Sequence, residues 1–341
     1  METGKNQVHI LAIETSCDET AAAITANGLN VKSNVVASQV DWHRKFGGVV
    51  PELASRKHLE LINPVLEESI RKAGLKKEEL SAVAVTCGPG LVGSLLVGLT
   101  AAKTLSFLLE IPLIAVNHIV GHIYANFICH RNLQTPVICL TVSGGHTDLL
   151  YFKNLKEYKK LGQTRDDAAG EAFDKVARYL ELGYPGGPVI EKNAEKGNSE
   201  AIDFPRAEFK DDTFDFSFSG LKTAVINYVH QQKQMGKQLN IPDIAASFQQ
   251  AVIDMLVNNI LRAVEQYEIK GVILAGGVAA NREFRHQLAG ALSHQGEIPL
   301  YYPELKYCTD NAAMIGAAAY YRYLNQDFAP LNINPQPRLR L

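Results

Sequence analysis

Ile13-Glu14-Thr15-Ser16-Cys17-Asp18-Glu19-Thr20-Ala21 and Leu140-Thr141-Val142-Ser143-Gly144-Gly145-His146-Thr147-Asp148 share one pattern, although they lie in different halves of the 341-residue chain. In each stretch a strand leads into a polar turn of the form Ser-x-x-x-Thr, and a second strand follows. Two such β-hairpins, one opening each half, predict a duplicated domain with a cleft between the two copies. Chance likeness between two short hairpins is the alternative, so the rest of the chain has to decide.

Strand and helix patterns alternate along the whole chain. Apolar runs and alternations predict strands at Val8 to Glu14, Thr20 to Thr25, Ala82 to Thr86, Val137 to Val142, Asp148 to Phe152 and Gly271 to Leu274. Helical spacing predicts helices at Glu52 to Ala73, Leu91 to Leu109, Asp166 to Leu182, Ile241 to Gln266 and Asn311 to Tyr323. Such alternation is typical of an α/β protein with mixed sheets.

The composition is that of a globular protein with enough apolar residues for about two domains. Hydrophobic residues make up 46% of the chain, and the formal net charge is −2. The polar residues at the N-terminus do not resemble a secretory signal or a transit peptide. The longest apolar stretch, Leu91 to Leu109, contains Lys103 and several hydroxyl side chains. We therefore expect a buried helix there rather than a membrane span, and a soluble cytoplasmic protein.

Cysteine usage and charge argue against two further classes of protein. The five cysteines are odd in number and lack CxxC spacing, so they predict reduced thiols rather than disulfides or a zinc cluster. The pI of about 6.6 differs from that of dedicated nucleic-acid binders, which are usually basic. Any RNA contact would then use local patches such as Arg44-Lys45 and Arg56-Lys57, helped by partner proteins, although these charges also fit an ordinary solvated surface.

His118 and His122 are the residues that most directly indicate chemistry. They are four positions apart in an apolar run with helical spacing, so both imidazoles would share one helix face and could meet one metal ion. About 0.3 such pairs are expected by chance in this chain, and two histidines held by local hydrogen bonds remain an alternative. A zinc protease of the HExxH type needs Glu after the first histidine, where this chain has Ile119, so peptide hydrolysis is disfavoured.

A third metal ligand is needed, and we choose Asp310. It lies in Cys308-Thr309-Asp310-Asn311-Ala312-Ala313-Met314, directly before an alanine-rich helix. Two histidines and one carboxylate with open positions are a common arrangement for catalytic zinc or non-haem iron. Aspartate is also a favoured N-cap residue, so a purely structural role is the alternative.

Three glycine clusters indicate what a cleft could hold. Ser143-Gly144-Gly145-His146-Thr147 would let backbone N–H groups approach a phosphate or carboxylate. Ile273 to Arg282 places a glycine pair between a buried strand and a helix, where a nucleotide can lie against the backbone. Gly183 to Pro188 predicts a rigid turn that either covers a ribose or only connects helices. None matches GxGxxG or the Walker pattern, and each alone could be an ordinary turn.

Six motifs, taken together and in order, resemble one family. They are Ile13 to Thr20, Gly88-Pro89-Gly90-Leu91, Asn117-His118-Ile119-Val120-Gly121-His122, Val142 to Thr147, Ala275 to Asn281, and Thr309 to Met314. The set is similar to that of the universal tRNA threonylcarbamoyladenosine synthase catalytic subunit, the family once labelled O-sialoglycoprotein endopeptidase. The resemblance runs from about residue 8 to about residue 325.

The resemblance implies a fold and an activity. The family belongs to the actin, Hsp70 and sugar-kinase superfamily, with two lobes and a nucleotide and metal cleft between them, in agreement with the duplicated hairpins. We expect an N-terminal lobe at 1–115, completed by a helix at about 308–330, a C-terminal lobe at 116–307 and a tail at 331–341. The family transfers threonylcarbamoyl from threonylcarbamoyl-adenylate to the exocyclic amine of the adenosine 3′ of the anticodon, in tRNAs that read codons starting with A.

The resemblance also implies site residues, a cofactor and partners. It implies metal binding by His118, His122 and Asp310, with one Fe²⁺ or Zn²⁺ ion as cofactor. It implies adenylate contacts at Thr141, Val142, Ser143, Gly144, Gly145, Asp174, Gly187 and Asn281. Where the family often has Asp on the ribose side, this chain has Glu191, whose longer side chain puts that contact in doubt. The expected partners are tRNA, an inactive paralogous subunit and a small ATPase, with no membrane, and a homodimer when the chain is alone.

The implied chemistry fits the residues. Threonylcarbamoyl-adenylate is already activated and AMP is a good leaving group, so catalysis needs mainly positioning and charge stabilisation rather than an enzyme nucleophile. A metal could orient and polarise the donor, while backbone N–H groups near Gly144 and Gly145 hold oxygens. Glu14 and Asp18 could accept the amine proton or position the substrate, and hairpin-capping carboxylates are the alternative.

Two other classes of function stay open from the residues alone. A small-molecule kinase of the same superfamily would use a similar cleft with Mg-ATP, and a nucleotide-gated scaffold would use nucleotide to drive closure. Neither has a use for the His118 and His122 pair, which therefore favours the transferase. Ligand sets of nitrogen and oxygen suit both iron and zinc, so the native metal stays open.

Overall fold

The computed structural model describes residues 7–154, 157–209, 211 and 213–341. The strands are β1 (His9–Glu14), β2 (Glu19–Ala26), β3 (Asn30–Ser38), β4 (Ala82–Gly88), β5 (Leu113–Asn117), β6 (Val137–Val142), β7 (Thr147–Asn154), β8 (Glu157–Gln163), β9 (Val272–Ala275) and β10 (Leu300–Tyr301). The helices are α1 (Val40–Arg44), α2 (Pro51–Ala73), α3 (Val92–Leu109), α4 (His118–Cys129), α5 (Ala169–Tyr179), α6 (Gly186–Ala194), α7 (Ser219–Gln234), α8 (Ile241–Gln266), α9 (Arg282–His294), α10 (Leu305–Cys308) and α11 (Ala312–Leu324).

The chain divides into two compact units. The first unit ends at Asn132 and is completed by Pro303–Leu341, and the second unit is Leu133–Tyr302. The first boundary therefore falls after α4 rather than at the expected position 115, because α4 packs against α11. The second boundary precedes the expected position 308, so the short α10 belongs with the first unit. The residues expected as a tail at 331–341 belong to this unit too.

The two units have the same sheet topology. In the first unit the strand order is β3-β2-β1-β4-β5, and in the second it is β10-β9-β6-β7-β8. Each sheet combines an antiparallel meander, β1-β2-β3 or β6-β7-β8, with two further strands added in parallel to its first strand. The repeat confirms the duplicated α/β fold that the two hairpin sequences predict.

Small residues set the positions of α4, which carries two candidate metal ligands, and of α11, which follows the third. Helix α11 is buried along Ala312–Ala319 and packs against α4 and β1. A Cβ added at Gly121 of α4 would lie 2.7 Å from the Ile315 side chain, and one added at Gly316 would lie 2.7 Å from the Thr25 side chain. Larger residues would therefore force the elements apart, because packed interiors leave no room for even one methyl group.

The core of the second unit surrounds α8. This 26-residue helix buries residues along most of its length and packs against α6, α9 and β6. Its Phe248 ring meets the Phe173 ring of α5 edge to face, with centroids 5.1 Å apart. The packing fixes the start of α5, which lies beside the polar turn between β6 and β7.

Helix α3 is half-exposed, which differs from the expectation of a buried helix. Among the described residues it is the one helix long and apolar enough to cross a membrane, and 33% of it is buried. Leu95 and Leu99 face the core against α2 and β4, whereas Phe107 and Leu108 are exposed. The pattern predicts a helix correctly here, but an apolar sequence does not reveal that only one face is covered.

Candidate functional site

The N-cap of α4 sets where the helix begins, and the four-residue spacing places His118 and His122 on the same helix face. Asn117 caps the helix, since its side-chain oxygen accepts hydrogen bonds from the N–H groups of Ile119 at 2.8 Å and Val120 at 3.3 Å. The helix therefore begins at His118, one turn before His122. The Nε2 atoms of the two imidazoles are 3.2 Å apart, and both side chains are buried.

Asp310 joins the two histidines from the segment before α11. Its Oδ1 lies 3.1 Å from Nε2 of His122 and 3.4 Å from Nε2 of His118. The N-cap of α11 is Asn311, whose side-chain oxygen accepts the N–H of Met314 at 3.1 Å. The capping role proposed as an alternative for Asp310 thus falls to its neighbour. One ligand atom from each of the three residues lies within 4.8 Å of the others, which is the arrangement that a metal ion needs.

Glu14 contacts His118 on the side away from this cluster. Its Oε2 is 3.0 Å from Nδ1 of His118 and accepts a hydrogen bond from Oγ1 of Thr86 at 2.6 Å. Its Oε1 accepts the N–H of Ser16 at 2.5 Å, and the carboxylate has no solvent exposure. A carboxylate that binds the second nitrogen of an imidazole orients the ring and leaves the other nitrogen to face a metal.

Nearby charges shift the pKa values of His118 and Glu14 in the direction opposite to the effect of burial. Burial alone would lower the pKa of His118, but the negative charges of Asp310 and Glu14 raise it to about 9. Burial would raise the pKa of Glu14, and the charge and hydrogen bond of His118 hold it below its usual value. The two carboxylates therefore favour a positive charge on the His118 ring.

The turn after β1 adds further carboxylates. Asp18 is 6% exposed. Burial, followed by the charges of Asp18 and Asp310, raises the pKa of Glu19 to about 10. Burial and the same two carboxylates also raise the pKa of the Cys17 thiol. A divalent cation fits this donor set, because two imidazole nitrogens and a carboxylate oxygen converge in an acidic environment.

The predicted anion-binding turn lies open in the second unit. Gly144 and Gly145 are exposed, and a Cβ at either position would have no atom within 4 Å. The loop is held from behind by α5, where the Gly170 N–H donates to the Ser143 carbonyl at 3.1 Å. A Cβ on Gly276 would lie 2.5 Å from the Val142 carbonyl oxygen, so the glycine pair after β9 also approaches this turn.

The other predicted adenylate residues connect to the same region. The N–H of Gly186 donates to Oδ1 of Asp174 at 2.7 Å, and a Cβ at Gly187 would meet open space. Oε1 of Glu191 accepts the N–H of Arg282 at 2.7 Å. Asn281 caps α9 and donates to Gln249 at 2.8 Å. Thr141 and Val142 are buried in β6, directly before the turn.

Comparison with known proteins identifies the family. A family model described as tRNA N6-adenosine threonylcarbamoyltransferase (TsaD) matches residues 30–317. The chain belongs to this family. A tRNA N6-adenosine threonylcarbamoyltransferase of Moorella thermoacetica is 55% identical over 335 residues, which cover 98% of each chain. One from Clostridium botulinum (strain 657 / Type Ba4) is 53% identical over 337 residues, which cover 99% of each chain.

Solved structures outside the threonylcarbamoyltransferase family share the fold. HypF of T. kodakarensis matches with a TM-score of 0.63 at 14% identity, covering 95% of this chain and 48% of HypF. The ROK hexokinase of Thermus thermophilus matches with a TM-score of 0.50 at 16% identity, covering 94% of this chain and 99% of the hexokinase. These neighbours show that the fold of this chain also occurs in proteins of other families, while the family match selects the transferase over the kinase.

Sequence reasoning missed the residues that support the histidines. Thr86 ends a buried strand and Ser16 lies in the first hairpin turn, yet neither carries a signal that links it to His118. The sequence likewise gives no signal for a role of Glu19. None of the five cysteines, all of which lie within the described ranges, forms a disulfide, as their number and spacing predict.

Proposed function

We propose that this chain transfers a threonylcarbamoyl group from threonylcarbamoyl-adenylate to the exocyclic amine of the adenosine 3′ of the anticodon, with release of AMP. The acceptors would be tRNAs that read codons starting with A. Membership of the transferase family supports the reaction class. The observation that carries the proposal is the convergence of His118, His122 and Asp310 within 4.8 Å, a cluster with no use in a kinase or a nucleotide-gated scaffold.

The proposed cofactor is one divalent ion, Fe²⁺ or Zn²⁺. Nε2 of His118, Nε2 of His122 and a carboxylate oxygen of Asp310 would hold it, and both metals accept such ligands. When bound, the ion would supply Lewis-acid polarisation and a fixed point for the donor. Within the chain, Glu14 would keep the His118 ring in place through its Nδ1 contact at 3.0 Å.

The proposed donor site is the set of loops in the second unit. Backbone N–H groups of Ser143, Gly144 and Gly145 would hold oxygens of the adenylate, since the space beside both glycines is open. Thr141 and Val142 would support that loop from β6. Asp174, Gly187, Glu191 and Asn281 would define the nucleoside side. Because Asn281 and Glu191 already bind protein groups, we assign them to shaping the pocket as well.

The proposed reaction requires an attack by the amine nitrogen on the carbamoyl carbon and cleavage of the bond to the phosphate oxygen of AMP. The attacking nitrogen must also lose a proton. Asp18 is the residue we assign to proton acceptance, because both oxygens of Glu14 are engaged with Ser16, Thr86 and His118. Glu14 then contributes to catalysis by orienting a ligand rather than by moving a proton.

The proposed partners are tRNA, an inactive paralogous subunit and a small ATPase, as the resemblance of the sequence implies, with action in the cytoplasm. The near-neutral charge supports a need for partners, because the chain has no excess of basic residues with which to hold tRNA unaided.

The decisive experiment is transfer of labelled threonine from threonylcarbamoyl-adenylate to tRNA in a reconstituted mixture, with and without chelator. We expect AMP release in proportion to modified tRNA, loss of transfer with chelator and recovery on addition of Fe²⁺ or Zn²⁺. Consumption of ATP in proportion to a phosphorylated sugar, without modified tRNA, would overturn the proposal.

A further inference from the structure

The last residues of the chain form a strap across the first unit. The C-terminal strap, residues 329–341, is held through its backbone. The N–H of Ala329 donates to the Leu113 carbonyl at 2.8 Å, and the N–H of Gln336 donates to the Cys87 carbonyl at 2.7 Å. The Pro337 carbonyl accepts the N–H of Gly90 at 3.2 Å. Terminal residues are poorly ordered unless they are tied down, and this segment is tied down at both sheet and loop.

The loop beneath the strap is built for this close approach. A Cβ at Gly88 would lie 1.9 Å from the carbonyl oxygen of Gln336 and 3.1 Å from Cβ of Leu339. Glycine at position 88 therefore allows two backbone segments to meet where no side chain fits. The strap is thus part of the folded unit, and its path is fixed.

The final four residues, Arg338-Leu339-Arg340-Leu341, alternate in exposure. Leu339 and Leu341 are half-buried, whereas Arg338 and Arg340 are exposed. Seven other arginines of the described chain pair with a carboxylate. In the part of the chain that the structure describes, no acidic group lies within 4.0 Å of either strap guanidinium. The leucines anchor the strap and the arginines present unneutralised charge.

The strap ends beside the metal cluster. The Arg340 carbonyl accepts a hydrogen bond from Nδ2 of Asn117 at 3.4 Å, and Asn117 immediately precedes His118. On the other side, Gly90 lies against Ser16, since a Cβ there would be 2.5 Å from the Ser16 carbonyl oxygen. Oγ of Ser16 is in turn 3.1 Å from Nδ1 of His118. The backbone contacts therefore place the end of the strap, with its two exposed arginines, near the start of the helix that carries both histidines.

We propose that Arg338 and Arg340 bind phosphate groups of the tRNA strand next to the acceptor adenosine. The inference rests on the proposed function and names a tRNA contact of the same site. A chain with a net charge of −2 must place its cations locally to hold a polyanion, and a guanidinium matches phosphate in charge and geometry. Because the backbone of the strap is held beforehand, little backbone conformational entropy is lost when tRNA binds.

The test compares charge variants of the full, metal-loaded chain, alone and with its partner subunits. The double variant Arg338→Gln and Arg340→Gln keeps the backbone of the strap and removes both charges. Two phosphate contacts to a single strand correspond to a change of about 1.4 in the slope of log K against log salt, and to roughly 15-fold in tRNA affinity at 0.15 M salt. We expect both changes, with metal content and donor affinity unaltered.

Two matched variants make the result specific. Arg131→Gln removes an exposed arginine beyond the far end of α4, and tRNA affinity should not change. Arg338→Lys with Arg340→Lys keeps the charge, so it should retain the salt slope and most of the affinity. An unchanged tRNA Kd and salt slope in the double glutamine variant would overturn the inference, even if the wild-type chain modifies tRNA normally.

The same assays, with and without partner subunits, distinguish a failure of this inference from a failure of the proposed function. If the wild-type complex does not modify tRNA at all, the proposed function fails, whatever the arginines do. If the double glutamine variant loses affinity for a partner subunit but binds tRNA as tightly as the wild type, the arginines contact protein and the inference fails alone.

Discussion

Gly170→Ala tests whether the turn at Ser143-Gly144-Gly145 is the donor site without altering any residue that would touch the donor. Gly170 is the second residue of α5, and a Cβ there would lie 2.5 Å from the Ser143 carbonyl oxygen and 2.8 Å from Cα of Gly144. An ordinary contact is at least 3.4 Å, so the loop or the helix must shift by roughly 1 Å. Such a displacement can cost about 100-fold in rate.

In Gly170→Ala, the cost of the close contact should offset or outweigh the stability gained from helix propensity. Alanine in a helix is favoured over glycine by about 1 kcal/mol, whereas forcing an extra methyl group into a packed contact costs roughly 1–3 kcal/mol. We therefore expect Gly170→Ala to be neutral or destabilising and to lower kcat/KM for threonylcarbamoyl-adenylate by about two orders of magnitude. Thermal unfolding and the transfer assay measure the two effects.

A matched control exists in the same unit. Gly220 is the second residue of α7, and a Cβ there has no atom within 4 Å. Gly220→Ala should therefore gain stability through helix propensity and keep full transfer activity. If Gly170→Ala lowers the melting temperature while donor affinity and transfer match those of Gly220→Ala, the turn does not bind the donor and the reasoning is refuted.

Three further predictions concern the metal, the donor loop and proteolysis. His122→Ala should fold but retain little metal by elemental analysis. In the wild type, the zinc affinity measured by chelator competition should increase as the pH is raised from 7 to about 9. The pKa of His118 is raised to about 9 and its imidazolium cannot bind metal, so a flat profile would contradict this. Gly145→Val should lose donor binding in equilibrium dialysis with unchanged metal content, because its side chain would fill the open space beside the turn; tight donor binding would exclude the loop. Purified protein should not cleave glycoproteins above a mock-purified control, since Ile119 stands where a protease needs Glu, and cleavage abolished by His122→Ala would refute this.

The elements that the sequence predicts well are those with strong apolar signals. Strand β1, strand β6 and the long helices α2 and α8 are close to the predicted bounds. The predicted helix at Asp166 to Leu182 is shorter in the structure, Ala169–Tyr179, because polar side chains at its start bind neighbouring loops instead.

The sequence patterns do not predict the strands at the edges of the sheets. Strand β3 (Asn30–Ser38) and strand β8 (Glu157–Gln163) have mostly exposed or half-buried residues, so their sequences lack an apolar run. Strand β5 (Leu113–Asn117) is short and passes directly into α4, where apolar residues continue without a break. Periodicity cannot separate a strand from a helix in such a run.

The candidate metal site could be predicted only in part. Helical spacing brings His118 and His122 together, because one turn is a local property of the chain. The contact of Glu14 with His118 joins residues 104 positions apart, and it depends on how β1 meets the start of α4. The choice between Asp310 and Asn311 as the cap of α11 also needed the structure, since both residue types cap helices equally well.

The discontinuous first unit imposes an order on biosynthesis. Asp310 lies 188 positions after His122, and the intervening chain includes the whole second unit. At about 5–20 residues per second, a ribosome would need roughly 10–40 seconds between making the second histidine and making the aspartate. The nascent chain can therefore not assemble the candidate cluster of His118, His122 and Asp310 until Asp310 has been translated, and loading of the proposed metal would be a late event in maturation.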